Sequence, residues 1–173
     1  SLTGNEPGLL AYFRLSEGHG DLAADSGPWG YHGTLQQATW ADVYAQGQQR
    51  PPALQRANVT QRSALQLAGN GAHFEVPDFS WSAGQAITIE FWMFVRSDQL
   101  QANELLSIGD NEGNNRLQVH YPYENKLLNW NYGDLGTPGA QLVADLSGYA
   151  GSWVHVGLVS TGTSGQARYA AII

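Results

Sequence analysis

Among the 173 residues there is no cysteine, only 8 Lys and Arg, and no apolar run near the roughly 20 residues needed to cross a bilayer. The absence of thiols excludes disulfides, thiolate zinc sites and thiol catalysis at once, while leaving the compartment open. Charged residues make up 13% of the chain with a formal net charge of -7. That balance repels a phosphate backbone and no basic cluster offsets it locally, which sets nucleic acid aside as a partner. The opening SLTGNEPG has neither an initiator Met nor a signal-peptide pattern, and ARYAAII stops inside a strand-like run. The chain therefore reads as a soluble piece of a larger protein, with no membrane insertion.

What is plentiful is 21 Gly, six Trp and eight Tyr, a composition of turns and strands with a surface of amides and hydroxyls. The length suits one all-β domain spanning residues 1–173. LLAYFRL alternates Ala11, Phe13 and Leu15 against Leu10, Tyr12 and Arg14, the period of a half-buried strand. SALQL and AHFEVP flank Gly69, Asn70 and Gly71 and predict a hairpin with Leu65 and Leu67 in the core near Phe74 and Val76. AITIEFWMFV carries bulky residues on both faces and reads as a central strand.

Further strands are expected in RLQVHYPY, KLLNWNY, AQLVADL, WVHVGLVS and ARYAAII, the last two joined by TGTSGQ. Trp40 to Arg62, with its glutamines and Pro pair, reads as a long surface loop. Its Asn58-Val59-Thr60 matches the glycosylation pattern, a match short enough to arise by chance. Many short strands separated by polar turns indicate a sandwich or barrel.

AADSGPWGYHGTL places Asp25, Ser26 and His32 within eight positions. A nucleophilic triad needs the acid and the serine on opposite sides of one imidazole, which adjacent Asp25 and Ser26 do not readily supply, and the Gly-x-Ser-x-Gly elbow is absent. A calcium site suits the stretch better. The Asp25 carboxylate with the backbone carbonyls of Gly30 and His32 would offer the oxygens that a hard cation takes. The competing reading is an Asx-turn in which Asp25 binds only backbone amides. His32 and His155 read as partly buried histidines satisfied by backbone. Asp110, Asn111, Glu112 and Asn114 read either as a second cation loop or as a solvated turn.

Sugars are bound by aromatic faces with amides and carboxylates alongside, carried on loops of a rigid scaffold. Trp130, Asn131, Tyr132 and Asp134, with Tyr121 and Tyr123, supply that chemistry. Leu128, Trp130 and Tyr132 also share a face by alternation, so Trp130 is equally a core residue. Trp29, Trp40 and Tyr44 sit in loop contexts and are the cleaner candidates for exposure.

The order of these segments resembles laminin-G-like, concanavalin A-like jelly-roll domains. GLLAYFRLSEGHGDLAADSGPWGYHGTL is similar to the first strand, Asp-Ser-Gly turn and His-Gly-Thr-Leu run of that family. ALQLAGNGAHFEVP, AITIEFWMFV and SWVHVGLVS are similar to its aromatic-x-Val-Pro, Thr-Ile-x-Phe-Trp and Trp-x-His-Val strands. The resemblance implies a two-sheet antiparallel jelly-roll sandwich and a calcium ion near the Asp-Ser-Gly turn, with the last ligands of that ion on strands beyond Ile173. Two departures stand out: a longer loop at about 40–62, and the lack of the turn and strands that follow an ARYAAII-like strand in the family.

Such a fold, lacking its last strands, would leave Arg168 to Ile173 open to edge pairing with another chain. Glucanases of this fold carry acids on alternating positions of one strand; here Glu90 is flanked on its face by Thr88 and Trp92, and Glu75 and Asp78 are split by Val-Pro. The expected function is a non-catalytic recognition module, extracellular or on the cell surface, for a glycan or protein ligand. A structural or assembly domain and a glycoside hydrolase are the alternatives.

Overall fold

The computed structural model describes residues 2–43, 63–69, 71–78, 86–96, 104–108, 117–122, 127–132, 141–160 and 168–172. Among them the fold is all-β, with antiparallel sheets and one short 3-10 turn, Ser147–Tyr149, in place of any α-helix. No helix of the described residues is long and apolar enough to cross a membrane. The chain comprises two compact units, Ser1–Phe79 and Ser80–Ile173.

The first unit holds β1 (Leu22–Ala23), β2 (Gly33–Gln36), β3 (Thr39–Asp42), β4 (Ser63–Gln66) and β5 (His73–Glu75). Strand β2 lies between β1 and β5, and β3 pairs with β4. Gly33 and Leu35 turn inward on β2 while Thr34 and Gln36 face out. A side chain at Gly33 would stand 2.7 Å from the Phe74 ring on β5, so glycine is what lets that ring close over the sheet. Phe74 in turn meets Phe13 edge to face at 5.3 Å, the arrangement that ring quadrupoles favour.

Three expectations for this unit need correcting. LLAYFRL forms a single bridge, Phe13 to Asp25, rather than a strand. The reason is local: the Tyr12 N–H is taken by the Asp25 carboxylate, and Leu15 adopts a φ of 52°, outside the β region. The Gly69 turn closes as expected, with Ala72 N–H donating to the Gly69 carbonyl at 3.0 Å, but the strands beside it do not pair with each other. Strand β4 joins β3 and β5 joins β2, which leaves Leu67 exposed rather than in the core. Trp40, expected in a loop, lies within β3 opposite Leu65.

The second unit has β6 (Ile87–Phe94), β7 (Glu104–Ile108), β8 (Leu117–His120), β9 (Leu127–Tyr132), β10 (Gln141–Asp145), β11 (Trp153–Ser160) and β12 (Arg168–Ile172). One sheet has the order β10-β9-β8-β7 and the other β12-β11-β6. The alternation legible in WVHVGLVS is realised in full: Val154, Val156, Leu158 and Ser160 are buried, and the residues between them are half-buried. These valines and Leu158 share one apolar cluster with Leu117, Val119, Leu128 and Trp130 of the other sheet. The two sheets thus bury a common layer, the defining arrangement of a sandwich.

The strand expected to be central, β6, pairs only with β11 among the described residues, and β11 takes the middle place. Bulky residues on both faces of β6 therefore report burial and not position in the sheet. At the far side, β12 runs antiparallel to β11, with Ile172 opposite Val156 and Arg168 opposite Ser160. Below these strands Val95 N–H donates to Ser152 and Gly151 N–H to Val95, which ties the 3-10 turn to the end of β6.

Candidate functional site

The turn between β1 and β2 is built around a buried carboxylate. Oδ1 of Asp25 accepts the backbone N–H groups of Tyr12 and Gly27, both at 2.7 Å, and Oδ2 accepts that of Tyr31 at 2.8 Å. Ser26 N–H returns a bond to the Tyr12 carbonyl at 2.7 Å, so the segment 9–15 and the turn are stitched together in both directions. A side chain at Gly27 would stand 2.8 Å from Oδ1, so the close approach of that amide requires glycine.

Burial alone raises the Asp25 pKa, but the three N–H donors and the neighbouring His32 outweigh it and hold the group below its ordinary value of 3.8. The carboxylate is therefore ionised throughout the physiological range.

His32 is exposed rather than partly buried, and it is still satisfied by backbone: its Nδ1 accepts the Asp25 N–H at 3.0 Å. That bond places the proton of the neutral ring on Nε2. The His32 N–H donates to the Gly30 carbonyl at 2.8 Å, closing the end of the turn.

The calcium reading requires acceptors converging on one point, and the groups that converge on Asp25 are donors. Three N–H dipoles present their positive ends to the two carboxylate oxygens, and the Gly30 carbonyl is engaged by His32. This donor set fits an anion held by amides and does not fit a cation coordinated by Asp25, Gly30 and His32. The Asx-turn reading describes the geometry. No group of three or more His, Asp or Glu gathers to hold a metal among the described residues.

What the turn presents is Trp29. Its side chain is 66% exposed, the most open large apolar group among the described residues. It is nonetheless anchored, because its Nε1–H donates to the Leu9 carbonyl at 3.2 Å across twenty positions of sequence. Leu10, next to that anchor, is exposed as well, and Arg14 lies over the Tyr12 ring at 5.5 Å. The indole is thus held at one edge by the segment that Asp25 also holds.

The other aromatic candidates separate sharply. Trp130 is fully buried in the core of the second unit and offers no face to a ligand. Alternation places it beside Leu128 on the inward side of β9, and Tyr121 is buried with it. Trp40 is half-buried and donates its Nε1–H to the Gly20 carbonyl at 2.9 Å. Tyr132 ends β9. Tyr44, Tyr123 and Asp134 lie outside the described residues, as do Asp110, Asn111, Glu112 and Asn114.

Glu90 is exposed on β6 opposite Gly157, so its cross-strand partner supplies no second carboxylate. His155 is half-buried and packs on Trp92 at 5.1 Å between ring centres. Sequence reasoning missed the two anchors, the Tyr12 N–H and the Leu9 carbonyl, because backbone groups leave no side-chain signature. The chain was compared with known protein families, curated proteins and solved structures, and none matches.

Proposed function

We propose that this chain is a non-catalytic recognition module, part of an extracellular or cell-surface protein, that binds a glycan by stacking it on Trp29. The observation that carries the reading is an aromatic ring that is 66% exposed and at the same time fixed by a hydrogen bond to Leu9. An exposed tryptophan whose indole N–H is already bonded to the backbone provides a large contact area with a reduced ordering cost on binding, the property of an aromatic anchor. The second unit supplies a two-sheet sandwich with a shared apolar layer, and the jelly-roll arrangement of the laminin-G-like kind is part of the proposal. Calcium at Asp25 is not part of the proposal, because the carboxylate is already engaged by amides.

A glycan array probed with the protein, with and without millimolar calcium, tests this reading. Retention of a glycan in both conditions supports it. Retention of none overturns it and shifts the assignment to a protein ligand or an assembly role.

A further inference from the structure

In the second unit, the outward face of β6 and β11 carries groups that the Trp29 reading does not use. Val154, Val156 and Leu158 of β11, with their register partners Met93, Phe91 and Ile89 of β6, line the apolar core, so by strand alternation the residues between them face away from it. On that outward side Trp153 meets Phe94 edge to face at 5.7 Å, and His155 packs on Trp92 at 5.1 Å. The next rung has no such pair of rings: Glu90 stands opposite Gly157. Beyond it Thr88 stands opposite Val159.

Gly157 opens a gap in this face. Along β11, His155 and Val159 lie about 13 Å apart with no outward side chain between them. Glycine weakens the interior of a strand, and it is found there where another group approaches the backbone closely. Glu90, beside the gap, is exposed and has neither a hydrogen bond nor an ion pair among the described residues. The half-buried Trp92 and His155 bound the gap on one side, and their ring nitrogens have no hydrogen-bond partner among the described residues. No Lys or Arg occurs in β6 or β11, and Arg168 of β12 is in register with the inward Ser160. Arg96 lies six positions on from Glu90, roughly 20 Å along an extended chain. The Glu90 carboxylate thus stands without a countercharge on a chain of net charge -7.

We infer that the gap over Gly157 is a docking site for an arginine side chain of a partner protein, its guanidinium paired with Glu90 and stacked against the rings of Trp92 and His155. Same-face neighbours on a strand are roughly 7 Å apart, which admits one flat group between the Glu90 and Trp92 rungs. A guanidinium is planar, forks onto both oxygens of a carboxylate, and lays its weakly hydrated face on an aromatic ring. A lysine ammonium pairs with Glu90 but has no plane to fill the slot, and an anion is repelled. The inference stands on the second unit alone and does not rest on stacking at Trp29.

Titration of the isotope-labelled chain with millimolar capped Gly-Arg-Gly peptide tests it, read at the Trp92 indole and Gly157 backbone N–H resonances, with the lysine and citrulline counterparts as comparisons. The arginine peptide is expected to shift both resonances, the lysine peptide to bind about threefold or more weakly, and the neutral citrulline peptide to leave both unmoved. Glu90→Gln, at an exposed position, is expected to weaken arginine binding about tenfold or more, and Gly157→Val to fill the gap and abolish it. Should Gly157→Val fail to fold, Glu90→Gln decides alone. The site is overturned if the arginine peptide moves neither resonance, if lysine or citrulline matches it, or if Glu90→Gln binds it undiminished.

Discussion

The carboxylate of Asp25 holds the backbone N–H of Tyr12, thirteen positions earlier, at 2.7 Å. This bond turns what reads as the first strand into a tether. Because Gly27 and Tyr31 donate to the same carboxylate, one side chain fixes both ends of the turn that displays Trp29. The proposed recognition by Trp29 and the stability of the first unit thus meet in Asp25.

Replacing Asp25 with alanine removes the shared acceptor from three amides of half-buried residues. Charge-assisted bonds of this kind contribute more than neutral ones, and the combined loss should destabilise the first unit by about 2–4 kcal/mol. Urea unfolding measures it. A change below about 0.5 kcal/mol would mean that water replaces the carboxylate without cost.

Acid should act through the same group. The folded pKa of Asp25 lies below its ordinary 3.8, and that of Glu6, whose carboxylate accepts the Thr3 N–H, is lowered from 4.5 to about 2. Both contributions are fully present above those ordinary values and are lost as the pH falls through the folded ones. Stability of the first unit should therefore be flat above about pH 5 and decline below it. Asp25→Asn and Glu6→Gln should each flatten part of that decline, and unchanged acid sensitivity in both variants would exclude these carboxylates as its source.

Packing gives a contrast between two tryptophans. Trp130→Ala empties a fully buried site and should cost about 3–5 kcal/mol, whereas Trp29→Ala removes a ring that is 66% exposed and should cost under about 1 kcal/mol. Thermal midpoints of the two variants settle the order, and equal losses would contradict the burial assigned to them.

At Gly33 the limit is steric. An alanine methyl would come 2.7 Å from Cδ2 of Phe74 and push that ring off its edge-to-face contact with Phe13. A loss of about 1–3 kcal/mol is expected for Gly33→Ala, with Phe74→Leu relieving part of it in the double variant. Strict additivity of the two would rule out the contact.

Legibility in the sequence followed the physics of each segment. Where one face of a strand meets a core, as in WVHVGLVS, period-two alternation recovers the inward residues Val154, Val156 and Leu158. The same rule offered Trp130 as either site or core without separating them, because alternation says which residues share a face and not what covers it. LLAYFRL has the right alternation and still forms no strand, since its amide at Tyr12 bonds to a side chain that no periodicity reveals. The turn at Gly69 was legible from its glycines, but partner choice beyond the turn is decided by long-range packing, here that of Phe74 against Phe13. The burial of Asn129 was hidden for a related reason: on paper it is the polar half of an alternating strand, and only the fold shows it sealed and unbonded.

Calcium provides a simple check on the turn. The amides around Asp25 leave it an acceptor of N–H groups, so millimolar calcium should leave the thermal midpoint of the first unit unchanged. A calcium-dependent rise that disappears in Asp25→Ala would restore the cation reading.

The most direct measurement is the affinity of a glycan retained on the array for the native chain, Trp29→Phe and Trp29→Ala. Stacking on the anchored ring predicts that the phenylalanine variant, which keeps an aromatic face but loses the Nε1–H bond to Leu9, binds more weakly than the native chain, and that the alanine variant loses binding by about tenfold or more, with a stability loss under about 1 kcal/mol. Undiminished binding by Trp29→Ala would contradict the account.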